Sequence, residues 1–262
     1  MTPRFSTRDQ SEIERSASEA TKIVVKPVDV DRYLDPPAST PFALEYAFYL
    51  LGDVQGKAVL DLGCGSGETL VPLAHRGANL IGIDISPDLI AIAKRRLSDA
   101  RLSAIVRVGS AYETELPDES VDVIFCMSLI HHLDIATVMD EMRRILRPGG
   151  FVILKEPVRF SKTYGFLRSL LPAHEDISEA EHPLTKEELR IVQEGFAVEG
   201  LRFFRLPFVP LVQRVSHAIG QRSVARLSNW ILTNVPATAQ YATVAALRLQ
   251  KTDARPSRVT VP

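Results

Sequence analysis

Residues 59–67 read VLDLGCGSG, a carboxylate set in an apolar run and followed by three glycines in alternation. An apolar run of this kind is what a strand buried on both faces of a parallel sheet looks like. Glycines directly after it make a tight turn whose bare backbone can approach a ligand closely. The helical pattern GETLVPLAHRG comes next. A helix starting near Gly67 aims its N–H groups at that space and favours negative charge there. Two phosphate-binding motifs fit poorly. The dinucleotide fingerprint is G-x-G-x-x-G, and Glu68 stands where its third glycine belongs, a bad neighbour for a pyrophosphate. No Gly-Lys-Ser/Thr follows, so a P-loop is excluded. The pocket suits a ligand carrying less negative charge than a dinucleotide.

Outward from this turn the pattern alternates. NLIGIDIS precedes PDLIAIAKRRLSDA, then come AIVRVGSA, VDVIFCMSLI, DIATVMDEMRRILRPGG and FVILKEP. Short Val- and Ile-rich runs separated by helical segments spell βαβ units and a parallel sheet. Val138, Met142, Ile145 and Leu146 form one apolar helical stripe. Asp134 and Ser86 are N-cap candidates, and Pro87 suits a first helical position. Pro148 and Gly149 stop the helix before them. Asp84 ends the second strand about twenty residues after Gly63, where a carboxylate accepts hydrogen bonds from both ribose hydroxyls of a nucleoside.

The ordered set VLDLGCGSG, GID, VGSAYETELP, VDVIFCMSLIHHL and RILRPGGFVIL resembles the class I S-adenosylmethionine-dependent methyltransferases, including those of quinone biosynthesis. The match covers roughly residues 45–157 and, more weakly, strands near 196–206 and 240–250. The resemblance implies a Rossmann-like, doubly wound, seven-stranded α/β sheet with its last strand antiparallel and with cap insertions. It implies S-adenosylmethionine as cofactor. Asp61 and the turn Gly63, Cys64, Gly65 and Gly67 then surround its methionine part, with Asp61 placed to meet the ammonium directly or through water. Asp84 holds the ribose and Ile85 lies against the adenine. Ser110 and Ala111 match the adenine-edge site, although many relatives carry Asp at the position of Ser110. Cys126 approaches the cofactor with its backbone. Tyr33 and Tyr46 are candidates for closing the pocket.

The same resemblance divides the chain into an N-terminal arm and cap helix (1–50), a cofactor-binding core (51–157), a cap insertion (158–184), further core (185–206), a second cap insertion (207–238), and a last strand with a loose tail (239–262). TKEELRIVQEG reads as a helix, FAVEGLRFFRL and YATVAALRLQ as strands, and residues 1 to about 22 as loose polar chain. A histidine after the fourth strand lines the ligand crevice and titrates near neutrality. His132 or His131 is thus the candidate base for an acceptor that must lose a proton, with His132 preferred. No third ligand accompanies this pair, so no metal site is expected. Glu156, Glu181 and His182 are further polar candidates. The second insertion holds Phe208, Val209, Leu211, Val212, Val215, Ile219, Leu227, Trp230, Ile231 and Leu232. These fit a cap around an apolar acceptor, packing onto the core, or a homodimer face. Arg214, Arg222 and Arg226 among them also suit an interfacial helix taking substrate from a membrane, a less favoured reading.

Composition bounds the rest. The chain has 262 residues, 45% hydrophobic and 24% charged, with formal net charge −1. That balance recruits neither nucleic acid nor an anionic membrane. The sequence after the fourth strand, Cys-Met-Ser-Leu, lacks the Asn-Pro-Pro-Tyr-like tetrapeptide of amino-methylating relatives. Two cysteines give no disulfide framework, and no apolar stretch reads as a signal peptide or a membrane span, so a cytoplasmic protein is expected. The expected function is methyl transfer to an oxygen, nitrogen or carbon of a small, partly apolar metabolite. A non-catalytic S-adenosylmethionine sensor and, behind it, a nucleotide-dependent oxidoreductase are the alternatives.

Overall fold

A computed structural model describes residues 7–161, 182–209 and 220–252. Three helices come first: α1 (Thr7–Ala20), the single turn α2 (Asp31–Leu34) and α3 (Ala43–Leu51). The alternating core follows as β1 (Ala58–Leu62), α4 (Leu70–His75), β2 (Asn79–Asp84), α5 (Pro87–Asp99), β3 (Ile105–Val108), β4 (Val121–Met127), α6 (Ile135–Ile145) and β5 (Leu146–Pro157). Then come α7 (Lys186–Val192), β6 (Phe196–Phe204), α8 (Gln221–Asn234) and β7 (Val244–Lys251).

The strands form one seven-stranded sheet in the order β3-β2-β1-β4-β5-β7-β6. Strands β1 to β5 run parallel, and β7 lies antiparallel to both β5 and β6. The apolar runs are continuous because both faces are covered. Leu60, Ile124 and Leu154 point into one core with Val138 and Met142 of α6. Their neighbours Val59, Phe125 and Ile153 point into the other, with Phe48 of α3 and Ala93 of α5. Val138, Met142 and Ile145 are fully buried, and each such side chain stabilises by roughly 1.5–3 kcal/mol. Ser86 accepts from the Leu89 N–H at 3.3 Å, and Asp134 accepts from the Thr137 N–H at 2.9 Å, so both expected caps form. The direction of strand addition reverses between β1 and β4. A crevice at the carboxyl ends of those two strands is where such sheets bind ligands.

Three expectations change. Residues 7–20 are helix α1, not loose chain, and they pack along α5. Good helix formers and the Glu12–Arg15 pair at 2.6 Å support it without a broad apolar stripe. Helix α4 begins at Leu70, three residues after Gly67, and has six residues. Lys251, just beyond the strand expected over YATVAALRLQ, closes β7 opposite Phe196. Of the two cap insertions, residues 162–181 and 210–219 lie outside the described residues, and with them Glu181, Leu211, Val212, Arg214, Val215 and Ile219. In α8, Val224 and Ser228 are buried while Leu227 and Trp230 are exposed.

Gly67 has φ +82°, and a Cβ there would meet the Ala93 Cβ at 2.9 Å and its Cα at 3.0 Å. Gly65 has φ +50° and open space where a Cβ would lie. Gly67→Ala is therefore expected to lower unfolding free energy by about 1–3 kcal/mol in urea titrations, clearly more than Gly65→Ala. Equal losses would contradict the packing of the turn on α5.

Candidate functional site

Asp61 sits one residue from the end of β1 and is fully buried. Its Oδ2 accepts from the Thr69 hydroxyl at 2.6 Å, while its buried Oδ1 has no partner. Burial pushes this carboxyl up to about 7; the Thr69 bond opposes the shift and the nearby Asp84 charge adds to it. The glycine turn passes directly after it. The Gly63 and Cys64 N–H groups donate to the Ile83 carbonyl at 2.8 and 3.1 Å, and the Gly67 N–H to the Cys64 carbonyl at 2.9 Å. Gly63 has φ +74°, and a Cβ on it would press into the Leu129 side chain at 2.9–3.2 Å.

Asp84 ends β2 and binds the turn to the next helix. Its Oδ2 accepts from the Gly65 N–H at 2.8 Å and its Oδ1 from the Ser86 N–H at 2.9 Å. Each carboxylate oxygen keeps a further lone pair for a ligand. Burial holds its pKa above the usual value, against these two bonds. Arg96, itself buried, donates to the Ser66 carbonyl at 3.0 Å and the Lys26 carbonyl at 2.8 Å, tying the turn to the N-terminal arm. It also lies 3.6 Å from Glu68, the residue that stands in place of a dinucleotide glycine.

A cavity of about 300 Å³ opens over the carboxyl ends of β1, β2 and β3. Gly63, Asp84, Ile85, Ser110, Ala111 and His132 of the expected set line it. Ser110 Oγ accepts from the Tyr112 N–H at 3.2 Å and keeps its hydroxyl proton for donation. Glu12 and Arg15 of α1, together with Tyr112, Leu129 and Leu133, also line it. Sequence reasoning missed them. The only signal for the first two was the helix-compatible Glu-x-x-Arg spacing.

Other expected residues are not among those lining the cavity. Cys126 is wholly buried inside β4, between Leu62 and Leu154, and Cys64 is buried beneath the turn. Burial pushes both thiols up, so neither is a reactive thiolate. Tyr33 packs on Phe48 with centroids 4.9 Å apart. Tyr46 packs on Tyr49 and Phe204, beneath the Arg202 guanidinium. Neither tyrosine lines the cavity. His131 is buried, and its Nδ1 meets Glu156 Oε2 at 2.7 Å. Glu156, fully buried, also accepts from the Leu129 and Ile130 N–H groups at 2.9 and 3.2 Å. The pair thus pins the turn that turns His132 into the cavity. His132 is pulled down to about 4 by burial and by the His131 ring 3.9 Å away, so it is neutral at pH 7. His182 lies 3.6 Å from Glu188. Among the described residues no group of three His, Cys, Asp or Glu is placed to hold a metal, and no helix is long and apolar enough to cross a membrane.

The Asp61 shift has a measurable consequence. A carboxyl whose folded pKa is about 7 and whose ordinary value is 3.8 keeps its proton in the folded state longer than in the unfolded chain. Folding stability from this group is complete below about pH 4 and falls as pH rises towards 7. The loss is about 4 kcal/mol over that whole range, since each pKa unit is worth about 1.4 kcal/mol. Urea titrations at pH 5 and pH 7 are expected to show a decline in the wild type that Asp61→Asn lacks. Parallel pH profiles would contradict the burial of an unpartnered carboxyl.

Comparison with known proteins agrees with this geometry. Residues 60–154 match the family model described as "Methyltransferase domain". The ubiquinone biosynthesis O-methyltransferase of Alkalilimnicola ehrlichii is 31% identical over 128 residues, 48% of this chain and 52% of the relative. That of Nitrosomonas europaea is 33% identical over 127 residues, 47% of this chain and 54% of the relative. The chain thus spans about half the length of the curated relatives it matches. The crystal structure of geranyl diphosphate C-methyltransferase from Streptomyces coelicolor, in complex with S-adenosyl-L-homocysteine, superposes with a TM-score of 0.64 at 15% identity. That match covers 95% of this chain and all of the other, and at such identity it speaks for the fold. Sheet order, glycine turn, carboxylates and family match converge: residues 60–154 are similar to a methyltransferase domain, and the curated relatives they resemble are methyltransferases of quinone biosynthesis.

Proposed function

We propose that the protein moves a methyl group from S-adenosylmethionine to a small molecule. The observation that carries this reading is the buried, unpartnered Oδ1 of Asp61 beneath a glycine turn, one strand from the cavity-lining Asp84. An ammonium group supplies the missing donor and returns Asp61 to its charged form. Asp84 receives the ribose hydroxyls with its spare lone pairs. Ile85, Ala111 and Leu129 give apolar contact to the adenine, and Ser110 faces its edge. When bound, the cofactor supplies a methyl already activated on a sulfonium. The chain's part is to hold the acceptor in line with it, which can lower the barrier by roughly 7–11 kcal/mol.

Of the two histidines, we assign His131 to positioning, because its Nδ1 is engaged by Glu156 and it lies outside the cavity. His132 shares the cavity with Ile85, Ser110 and Ala111. We assign it to the nucleoside, as a neutral ring, in place of the base expected from sequence. An oxygen acceptor is favoured because the curated relatives are named as O-methyltransferases.

Transfer of tritiated methyl from S-adenosylmethionine to a panel of catechols and phenols tests the reading. Turnover is expected, with the cofactor KM raised roughly 10- to 100-fold in Asp84→Ala, the worth of charge-assisted hydrogen bonds. Tight cofactor binding without turnover on any acceptor would favour a sensor.

A further inference from the structure

One wall of the cavity over β1, β2 and β3 does not come from the sheet. Glu12 and Arg15 stand three residues apart on α1, so they share one face of that helix, and both line the cavity. Arg15 Nη2 donates to Glu12 Oε1 at 2.6 Å, and both side chains are partly buried. The charge of Glu12 is felt inside the site. Burial raises the pKa of Asp84 and Glu12 adds to the rise; burial lowers that of His132 and Glu12 opposes the fall. Helix α1 packs along α5, which begins at Pro87, three residues after Asp84. Because α5 joins β2 to β3, Glu12 reaches the cavity from the side of those two strands.

The polar groups along the sheet fix how a nucleoside ligand lies. Asp61 is on β1, Asp84 ends β2, and Val108 at the end of β3 lies opposite Asp84. The Gly109 N–H donates to the Asp84 carbonyl at 3.0 Å, so Ser110 stands beside Asp84 at the sheet edge. A ligand with its ammonium at Asp61 and its ribose at Asp84 points its base towards Ser110. That is the side from which α1 approaches.

Adenine presents an amino donor beside a ring-nitrogen acceptor, whereas a purine with oxygen at C6 presents two acceptors. Telling them apart takes a group that can only accept or only donate. Ser110 Oγ accepts from the Tyr112 N–H and can still both accept and donate. The Tyr112 hydroxyl, which accepts from the Asp134 N–H at 2.8 Å, has the same double character. The neutral His132 ring carries one donor and one acceptor nitrogen. None of these three discriminates. The carboxylates lining the cavity are Asp84 and Glu12, and Asp84 serves the ribose. Glu12 and Arg15 side by side offer an acceptor next to a donor, the complement of the adenine edge.

We propose that Glu12, held by Arg15, selects adenine over a 6-oxopurine: its carboxylate accepts from the C6 amino group of the bound cofactor, which makes α1 part of the cofactor site. This rests on the methyltransferase reading, which supplies S-adenosylmethionine as the ligand. An oxygen at C6 in the same place sets two acceptors against each other and leaves the carboxylate unpaired. A site built to hydrogen-bond one group rejects the analogue that lacks it.

The probes are S-adenosylhomocysteine and S-inosylhomocysteine, which differ at C6 of the purine, amino against oxo. Calorimetry on the whole protein measures both affinities. The wild type is expected to bind S-adenosylhomocysteine roughly 10- to 100-fold more tightly, the worth of a hydrogen bond to a charged group. Glu12→Gln keeps the size of the side chain and replaces one oxygen with an NH2 donor. It should weaken S-adenosylhomocysteine and tighten S-inosylhomocysteine, bringing the ratio towards one. Glu12→Ala, a substitution that suits a helix, should lower the ratio through loss of S-adenosylhomocysteine affinity alone. If α1 only covered the cavity, each variant would weaken both ligands alike. A wild-type ratio near one, or a ratio that survives both substitutions, overturns the role of Glu12. S-adenosylhomocysteine binding by the wild type reads the methyltransferase assignment separately: bound ligand with an unchanged ratio removes Glu12 alone, and binding of neither probe removes both.

Discussion

The constraint on which the site depends is a carboxylate buried where the fold gives it too few partners. Asp61 lies one residue from the end of an otherwise apolar strand, and Thr69 satisfies one of its oxygens. The other oxygen is left bare in the interior. An ionised carboxylate in that position is costly unless it is paired, and the protein meets the cost by holding the group near its protonation midpoint. A side chain that only had to fill space there would be apolar. The remaining architecture is built close around that oxygen: the glycine turn follows directly after Asp61, and the sheet reverses between β1 and β4 beside it.

The turn over Asp61 is fixed from several sides at once. Asp84 binds the Gly65 N–H, Ile83 receives two N–H groups, and buried Arg96 binds the Ser66 carbonyl. Because Arg96 also holds the Lys26 carbonyl, the arm carrying α1 is anchored to the same loop. That is how Glu12 and Arg15, far from the glycines in sequence, come to wall the cavity. On the other side, Glu156 collects three donors and fixes the turn after β4. The glycine turn and the turn after β4 are thus held by separate polar networks that come together at Leu129, which faces Gly63 and donates to Glu156.

The parts legible in the sequence are those that burial writes periodically. Runs such as VDVIFCM announce strands covered on both faces, and the stripe Val138–Met142–Ile145 announces α6. Ser86 and Asp134 cap as local rules require. Asp61, Asp84 and the glycines are legible because their spacing is set by one strand–turn–helix–strand unit. The rest depends on register between strands distant in the chain. Whether His131 meets Glu156 follows from the β4–β5 pairing and leaves no periodic trace. Helix α1 was missed because its contacts with the cavity are made by charged side chains rather than by an apolar stripe.

The most direct measurement is calorimetric titration with S-adenosylhomocysteine at pH 6 in buffers of different ionisation enthalpy, with NADH as the comparison ligand. Micromolar binding is the predicted result, with proton release as Asp61 becomes charged against the ligand's ammonium, and no such release in Asp61→Asn. Binding of NADH with S-adenosylhomocysteine excluded, or binding with no proton release, would contradict the assignment of Asp61 and the crevice above it.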